Sequence, residues 1–458
     1  MSEQTDQGIT RLTVAGYKSI SREQSIAIRP LTLLAGANSA GKSSMVQPLL
    51  LLKQTLEVSY DPGPLLLNGP NVQFSSLREL LSRGSRGGAS AFTVGVGFDH
   101  AADLTLTFAR IGAEKSTETD KLALTRMSIA GAHNGVQLTP EMDHDAIIAA
   151  SSPELRQQMQ LALAREMLHL TTGDTLHGDP RLKVMRRRCF LDISVVAQVD
   201  WNTEHLLSIL PLDILIEPAI RTTIHLPGLR DWPERMYPVS ATGPQFPGTF
   251  QQYVASVIAG WQAQGRRDLL DQLATYLADL NLTRTIEAHV RDSSRIDLLV
   301  DRMPVGSSRR ASDMVNIADV GISVSQTLPV LVALLAAAPG QLVIIEQPEL
   351  HLHLSAQVQL ARVLADAALR GVRVIVETHS SLLLLSVQTL VAQGHLPPEL
   401  VQLHWFDRDA AGVTTVASAN LDATGAFGDW PVTFDTVELD AQRHYLDAAE
   451  ARQAGQSH

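Results

Sequence analysis

Three short stretches of this chain carry residue types at spacings that suit phosphate and metal chemistry. Gly36-Ala37-Asn38-Ser39-Ala40-Gly41-Lys42-Ser43 fits the pattern G-x-x-x-x-G-K-[ST], with Ser44 following. Glycines there let backbone N–H groups wrap a phosphate, and a helix N-terminus behind them favours negative charge. Lys42 is expected to bridge β- and γ-phosphates. The Ser43 hydroxyl is placed for Mg²⁺, a hard cation that takes oxygens from one or two protein groups, phosphates and water. The second stretch, Leu342-Val-Ile-Ile-Glu346-Gln347-Pro348-Glu349, is an apolar run ending in acid, and Glu346 is the expected metal-side carboxylate. The third, Glu377-Thr378-His379-Ser380, also follows an apolar run. A chance Gly-rich turn and a solvated strand-end acid are the bland alternatives, disfavoured because the pieces occur together.

Such residues need strands and helices to position them. ITRLTVAGYKSI and QSIAIRPLTLLAG alternate apolar and polar residues and read as strands. GKSSMVQPLLLLKQTLE carries helical spacing up to the turn signal at Asp61 to Pro64, so strand, Gly-rich turn and helix are consecutive. From Ala91 to Gly131 the alternation predicts antiparallel strands with one wet face. Residues 136–310 read as mostly helical, with Pro-rich punctuation from Leu226 to Pro247. The last third alternates helix and strand, with Gly371 as a helix stop, which implies parallel strands.

Composition sets outer limits. With 458 residues and 45% hydrophobic content the chain can bury a large core. Cys189 is the single cysteine, so no intramolecular disulfide forms and a reducing compartment is expected. The polar opening MSEQTDQGITRL lacks an apolar signal core, and the apolar stretch Leu328 to Ala338 is too short to span a bilayer. The expectation is a cytoplasmic protein that meets no membrane. A net charge of −11 argues against a surface that tracks nucleic acid throughout.

With these motifs the chain resembles the ABC-type P-loop ATPases of the RecF/SMC/OLD-like group. Asp319-Val-Gly321-Ile-Ser323-Val-Ser325-Gln326 looks like a degenerate ABC signature, 23 residues before Glu346, and His379, 33 residues after it, takes the place of the switch histidine. IIEQPELHLH, VETHS and a terminal Trp430-Pro431-x-x-Phe434-Asp435 box are similar to one branch of that group. The resemblance implies ATP and Mg²⁺ as cofactors and a homodimer in which Gly321, Ser323, Ser325 and Gln326 reach the partner's nucleotide. It also implies links to DNA transactions and to bacterial defence against phage. Two departures stand out. Valine and serine replace the signature glycines, with Gly321 a nearby source of backbone freedom. Gln347 sits where many such ATPases place the catalytic glutamate. An amide orients water but cannot take its proton, and general-base help is typically worth about 10²–10⁴-fold. Hydrolysis is expected to be slow unless Glu349 or His379 substitutes.

Weaker features leave alternatives open. Gln73, 31 residues past Lys42, is a Q-loop and metal-side candidate. Arg181, Lys183, Arg186, Arg187 and Arg188 could bind nucleic acid or an acidic partner, or form a solvated helix face. His351 and His353 suit a D-loop at a dimer seam better than a metal pair. Asp407-Arg408-Asp409 reads as a hairpin turn rather than a nuclease D-x-D. Arg230 and Arg235 either approach the nucleotide or anchor a Pro-rich turn.

The expected fold is an α/β, ABC-ATPase-like P-loop head with an antiparallel β subdomain, a helical insertion lobe and a short C-terminal extension. The expected divisions are 9–135 (first ATPase lobe with the β subdomain), 136–310 (mainly helical insertion) and 311–400 (second ATPase lobe). An extension over 401–440 and a terminal helix or tail over 441–458 complete them. Only 23 residues follow Asp435, fewer than the usual ~50 or more of a folded domain, so a separate effector or toxin polypeptide is expected.

Overall fold

The computed structural model describes residues 8–83, 89–99, 103–112, 121–131, 135–170, 179–200, 203–212, 216–302 and 313–428. The Trp430 to Asp435 box and the tail over 441–458 lie outside them. Strands β1 (Ile9–Ala15), β2 (Gln24–Ala27) and β3 (Leu31–Gly36) lead into helix α1 (Lys42–Glu57). Strands β4 (Ala91–Phe98), β5 (Asp103–Ile111), β6 (Lys121–Ala130) and β7 (Val136–Leu138) follow. All of these strands except β3 form one antiparallel sheet in the order β2-β1-β4-β5-β6-β7. The expected β subdomain is therefore present, and alternate residues such as Leu104, Leu106 and Phe108 point into its core.

Residues 136–310 are not mainly helical. Helices α2 (His144–Ala149) and α3 (Pro153–Leu170) precede three antiparallel strands: β8 (Arg181–Arg187), β9 (Phe190–Asp200) and β10 (Thr203–Leu210). Then come α4 (Ile216–Arg221), β11 (Ile224–Leu226), β12 (Tyr237–Pro238), α5 (Val254–Ala263) and α6 (Arg267–Asp279). Strands β13 (Ile286–Val290), β14 (Arg295–Asp301) and β15 (Met314–Asn316) make a second small sheet with β12. The helical expectation fails at β9 because Phe190, Leu191, Ile193 and Val195 are all fully buried. A continuously buried strand shows no clean period of two, so its apolar run does not distinguish itself from a helix.

Helix α7 (Ile322–Ala336), strand β16 (Leu342–Glu346), helix α8 (Leu354–Leu369), strand β17 (Arg373–Glu377) and helix α9 (Ser381–Ala392) give the expected α/β alternation. Gly371, with φ 83°, terminates α8 as predicted. The chain closes with the hairpin β18 (Val401–Arg408) and β19 (Thr414–Asn420). The central sheet runs β11-β16-β17-β3-β18-β19, parallel throughout except for that last hairpin. Segment 401–420 is thus no appendage, because β18 pairs directly with the P-loop strand β3. Likewise β11, placed by sequence in the insertion, forms the other edge beside β16.

The central sheet is buried on both faces, as parallel strands covered by helices are. Leu34, Leu342, Ile344 and Ile375 face α1 and the antiparallel sheet. Leu33, Val343, Ile345, Val374 and Val376 face α7, α8 and α9. Among the described residues no helix is long and apolar enough to cross a membrane.

Candidate functional site

The turn between β3 and α1 takes conformations that ordinary side chains resist. Gly36 and Gly41 have φ of 137° and 107°, and Ser39 has φ 60°. Helix α1 begins at Lys42 with no side-chain cap, which leaves its first N–H groups facing the loop. Lys42 is buried, and its ammonium donates to the carbonyls of Gly36 and Ala37, both at 2.9 Å. Burial lowers its pKa, opposed by the charges of Glu377 and Glu349. Asn38 and Ser39 are exposed, Ala40 is buried, and Ser44 sits half-buried in the first turn. Thr414 of β19 donates to the Ala40 carbonyl at 2.8 Å, so the C-terminal hairpin braces the loop.

Three carboxylates gather at the C-terminal ends of β16 and β17. Glu346 and Glu377 are register partners on neighbouring strands, and the Gln347 N–H donates to the Glu377 carbonyl at 2.7 Å. Gln347 itself has φ 46°, a left-handed conformation of the kind stored at functional turns. Glu349 is buried. Its Oε1 accepts from Thr378 Oγ1 at 2.8 Å and from the His379 N–H at 2.9 Å, while its Oε2 is buried with no partner among the described residues. That engagement makes Glu349 a brace for the segment bearing His379. His379 is half-buried, and burial followed by the charge of Lys42 lowers its pKa.

Glu377 is the acid that sequence reasoning missed. The Ser43 hydroxyl donates to both its oxygens, at 2.8 and 3.1 Å. Burial pushes its carboxyl up to about 7, opposed by the Ser43 hydrogen bond and reinforced by Glu346. Chain order does not reveal it, because β17 comes to lie between β16 and the P-loop strand only in the folded sheet.

Around Glu346 the chain supplies further partners from β11 and the loop after it. Glu346 Oε2 accepts from the Gly228 N–H at 3.1 Å, and His225 Nε2 lies 3.5 Å from Oε1. Burial raises this carboxyl, but His225, Gly228 and Arg230 together hold it below the ordinary range. His225 Nδ1 meets Asn71 Oδ1 at 3.1 Å, and Asn71 Nδ2 is buried without a partner among the described residues. Arg230 is buried and donates to the Glu346 carbonyl at 3.0 Å. Burial lowers its pKa to about 10 against the pull of Glu349 and Glu346. Arg235 is exposed and pairs with Asp319.

Gln73 does not join this cluster. It is exposed and lines a separate cavity of about 580 Å³ with Lys18, Arg78 and Arg408. Asn71, two residues earlier, reaches His225 beside Glu346 instead, because Gln54 of α1 holds the backbone N–H groups of Asn71 and Val72.

In the signature stretch the Ser323 hydroxyl donates to the His351 carbonyl at 2.6 Å, tying α7 to the loop after Glu349. Ser325 donates to the Ile322 carbonyl, and buried Gln326 donates to the Asp231 carbonyl at 3.0 Å. Gly321 has φ −59° and ψ 144°, ordinary values, so the expected backbone freedom is not used there. His351 has φ 65°, and His353 caps α8 through the Ser355 N–H. Among the described residues no group of three or more His, Cys, Asp or Glu could hold a metal.

The basic cluster lies on β8 and the turn after it rather than on a helix, and its charges are paired. Arg181 and Lys183 meet Glu204, Arg186 meets Asp61, and Arg187 meets Asp192 and Glu217. Arg188 donates to the Leu56 carbonyl at the end of α1.

The arrangement suits a nucleotide and a hard cation. A P-loop hydroxyl beside one or two carboxylates is the partial oxygen set that leaves Mg²⁺ its positions for phosphate and water. The sheet order, the P-loop and the acids at the strand ends define an ATPase-like α/β P-loop head. A family model described as "AAA domain, putative AbiEii toxin, Type IV TA system" matches residues 281–386, which contain the signature stretch, Glu346 and His379. No curated protein matches the chain. Among solved structures, the chain is similar to an SmcHead bound to the C-winged helix domain of ScpA. The TM-score is 0.49 and identity 11%, covering 90% of this chain and 98% of that one. It is also similar to the SMC head domain from Thermotoga maritima, with TM-score 0.40, 10% identity and coverages of 90% and 98%.

Proposed function

We propose that the chain binds ATP with Mg²⁺ over residues 36–44, hydrolyses it slowly, and closes as a pair of copies around it to regulate a separate effector. The observation that carries this reading is the convergence of Lys42 and Ser43 with Glu346, Glu349 and Glu377 at the ends of adjacent strands. Open parallel sheets bind ligands at that end of their strands. Ser43 and a strand-end carboxylate would hold the cation, whose charge supports phosphoryl chemistry when bound. Slow turnover follows from Gln347, an amide, and from Glu349, whose one bonded oxygen is committed to Thr378 and His379.

Pairing is supported by the signature helix. Its N-cap, Gly321, is exposed, with nothing within 4 Å of a Cβ there. N–H groups at such a helix start would favour the closed pair only when a phosphate meets them, which is how a ligand biases two states. A role in bacterial defence is supported by the motif resemblance and by the description of the matching family model. The effector is read as a separate partner protein, an extension of that resemblance.

Calorimetric titration with ATP and Mg²⁺, with molar mass measured by light scattering in both states, tests this function. No ATP binding by the folded protein would end the reading, and binding with no change of mass would end its dimer. A non-hydrolysing ATP scaffold is the second reading, favoured by Gln347. Absence of phosphate release at saturating ATP would select it.

A further inference from the structure

Strand order decides which acid lies nearest the P-loop. β17 is the immediate neighbour of β3, whereas β16 is one strand further away. At about 4.8 Å per strand, Glu377 stands one spacing from the P-loop strand and Glu346 two. Glu346, Glu377 and Leu34 are aligned across the three strands, so their side chains share the face that α1 covers. Helix α1 places Ser43 over that face, and the hydroxyl meets Glu377.

The three acids are also committed differently. Glu346 is tied to the far side by the Gly228 N–H and by His225. Glu349 is tied to Thr378 and His379 through one oxygen. Glu377 has both oxygens on the P-loop hydroxyl, a group that any cation at Ser43 must also touch. A carboxylate in that place can trade the hydroxyl's hydrogen bond for the metal without moving a strand.

We infer that Glu377 supplies the carboxylate that holds the nucleotide's divalent cation beside the Ser43 hydroxyl. The inference rests on the ATP reading and goes beyond it, because the motif spacing gives that role to Glu346. Gly228, His225 and Arg230 then fix Glu346 at the edge of the site as a positioning group.

The test compares ATP affinity with excess chelator and with Mg²⁺, by calorimetry, for the wild type, Glu377→Gln and Glu346→Gln. The wild type gains affinity when Mg²⁺ is added. Glu377→Gln should lose about 10–100-fold of that gain, the worth of one charged ligand contact, while keeping its affinity for metal-free ATP. Circular dichroism checks that each variant is folded. Since the glutamine could disturb the Ser43 contact, Glu377→Cys is examined with ATP and Cd²⁺, where a directly bound thiolate gives an ultraviolet charge-transfer band. Retention of the full Mg²⁺ gain by Glu377→Gln, or no such band from Glu377→Cys, overturns the inference and leaves ATP binding standing. Lost hydrolysis with an intact Mg²⁺ gain also overturns it. Failure of the wild type to bind ATP at all removes the inference and the functional reading together.

Discussion

Gly36 of β3 is the register partner of Phe406 of β18, and a Cβ at Gly36 would overlap the Phe406 carbonyl oxygen. With φ 137° the position also lies where L side chains are strained. The first P-loop glycine is therefore required by strand packing as well as by phosphate approach. Gly36→Ala is predicted to cost about 3 kcal/mol or more, combining backbone strain with displaced core. Gly321→Ala, at an ordinary φ with open space around it, should leave stability within about 0.5 kcal/mol. Urea midpoints of the two variants check both, and equal midpoints would contradict the assignment of Gly36 to the sheet.

His404 makes the chain acid-sensitive. It is fully buried on β18, with Nε2 2.8 Å from the Ala27 carbonyl and Nδ1 2.8 Å from Ser418 Oγ. Burial lowers its pKa to about 4, so the folded protein keeps it neutral where the unfolded chain takes up a proton. Stability from this group is present above pH ~6.5 and is lost as pH falls through about 4, a span worth roughly 3 kcal/mol. Comparing wild type with His404→Gln in urea between those pH values should show a flatter dependence in the variant. Parallel curves would refute it.

How much of this was legible in the sequence varies with the physical origin of each feature. Lys42, Ser43, Glu346 and the turn around Gly36 belong to local patterns, and their strand, loop and helix fell where spacing put them. Glu377, His225, Asn71 and Arg230 come together only through the order of strands β11, β16, β17 and β3, which chain order does not state. Gln73 was chosen by distance along the chain, whereas the inward direction of Asn71 depends on the hold of Gln54 on the loop. The basic run Arg181 to Arg188 looked like a surface waiting for a partner. Asp192 is only 5 residues from Arg187, but Glu204, Glu217 and Asp61 lie 21 to 125 residues from their partners, beyond a local window.

Lys42→Ala should abolish ATP binding while leaving a folded protein. Lys42 donates to two P-loop carbonyls, each hydrogen bond worth about 1 kcal/mol net, and its removal also relieves the burial of an ammonium. The expected change in stability is therefore within about 2 kcal/mol. Calorimetry with ATP and thermal unfolding on the same sample separate the two effects. Unchanged ATP affinity in the folded variant would detach the P-loop from the proposed function.

Gln347→Glu is predicted to raise ATP turnover about 10–100-fold, short of the full range a well-placed general base can supply. The position is set by backbone, since Gln347 takes φ 46° and its N–H is bonded to the Glu377 carbonyl. Its side-chain oxygen would lie 3.5 Å from a Cβ at Gly228, on the side where Glu346 is held. A carboxylate there would face Glu346 and Glu377, so the metal-free variant should lose on the order of 1 kcal/mol of stability through like-charge repulsion. Bound Mg²⁺ would offset that repulsion, which makes the variant's stabilisation by MgATP larger than the wild type's. Phosphate release at saturating MgATP and unfolding midpoints with and without it are the two measurements. Equal turnover in both proteins would mean that another group takes the proton from water. His379 is then the next residue to change, because Glu349 already has one oxygen committed to the segment that carries it.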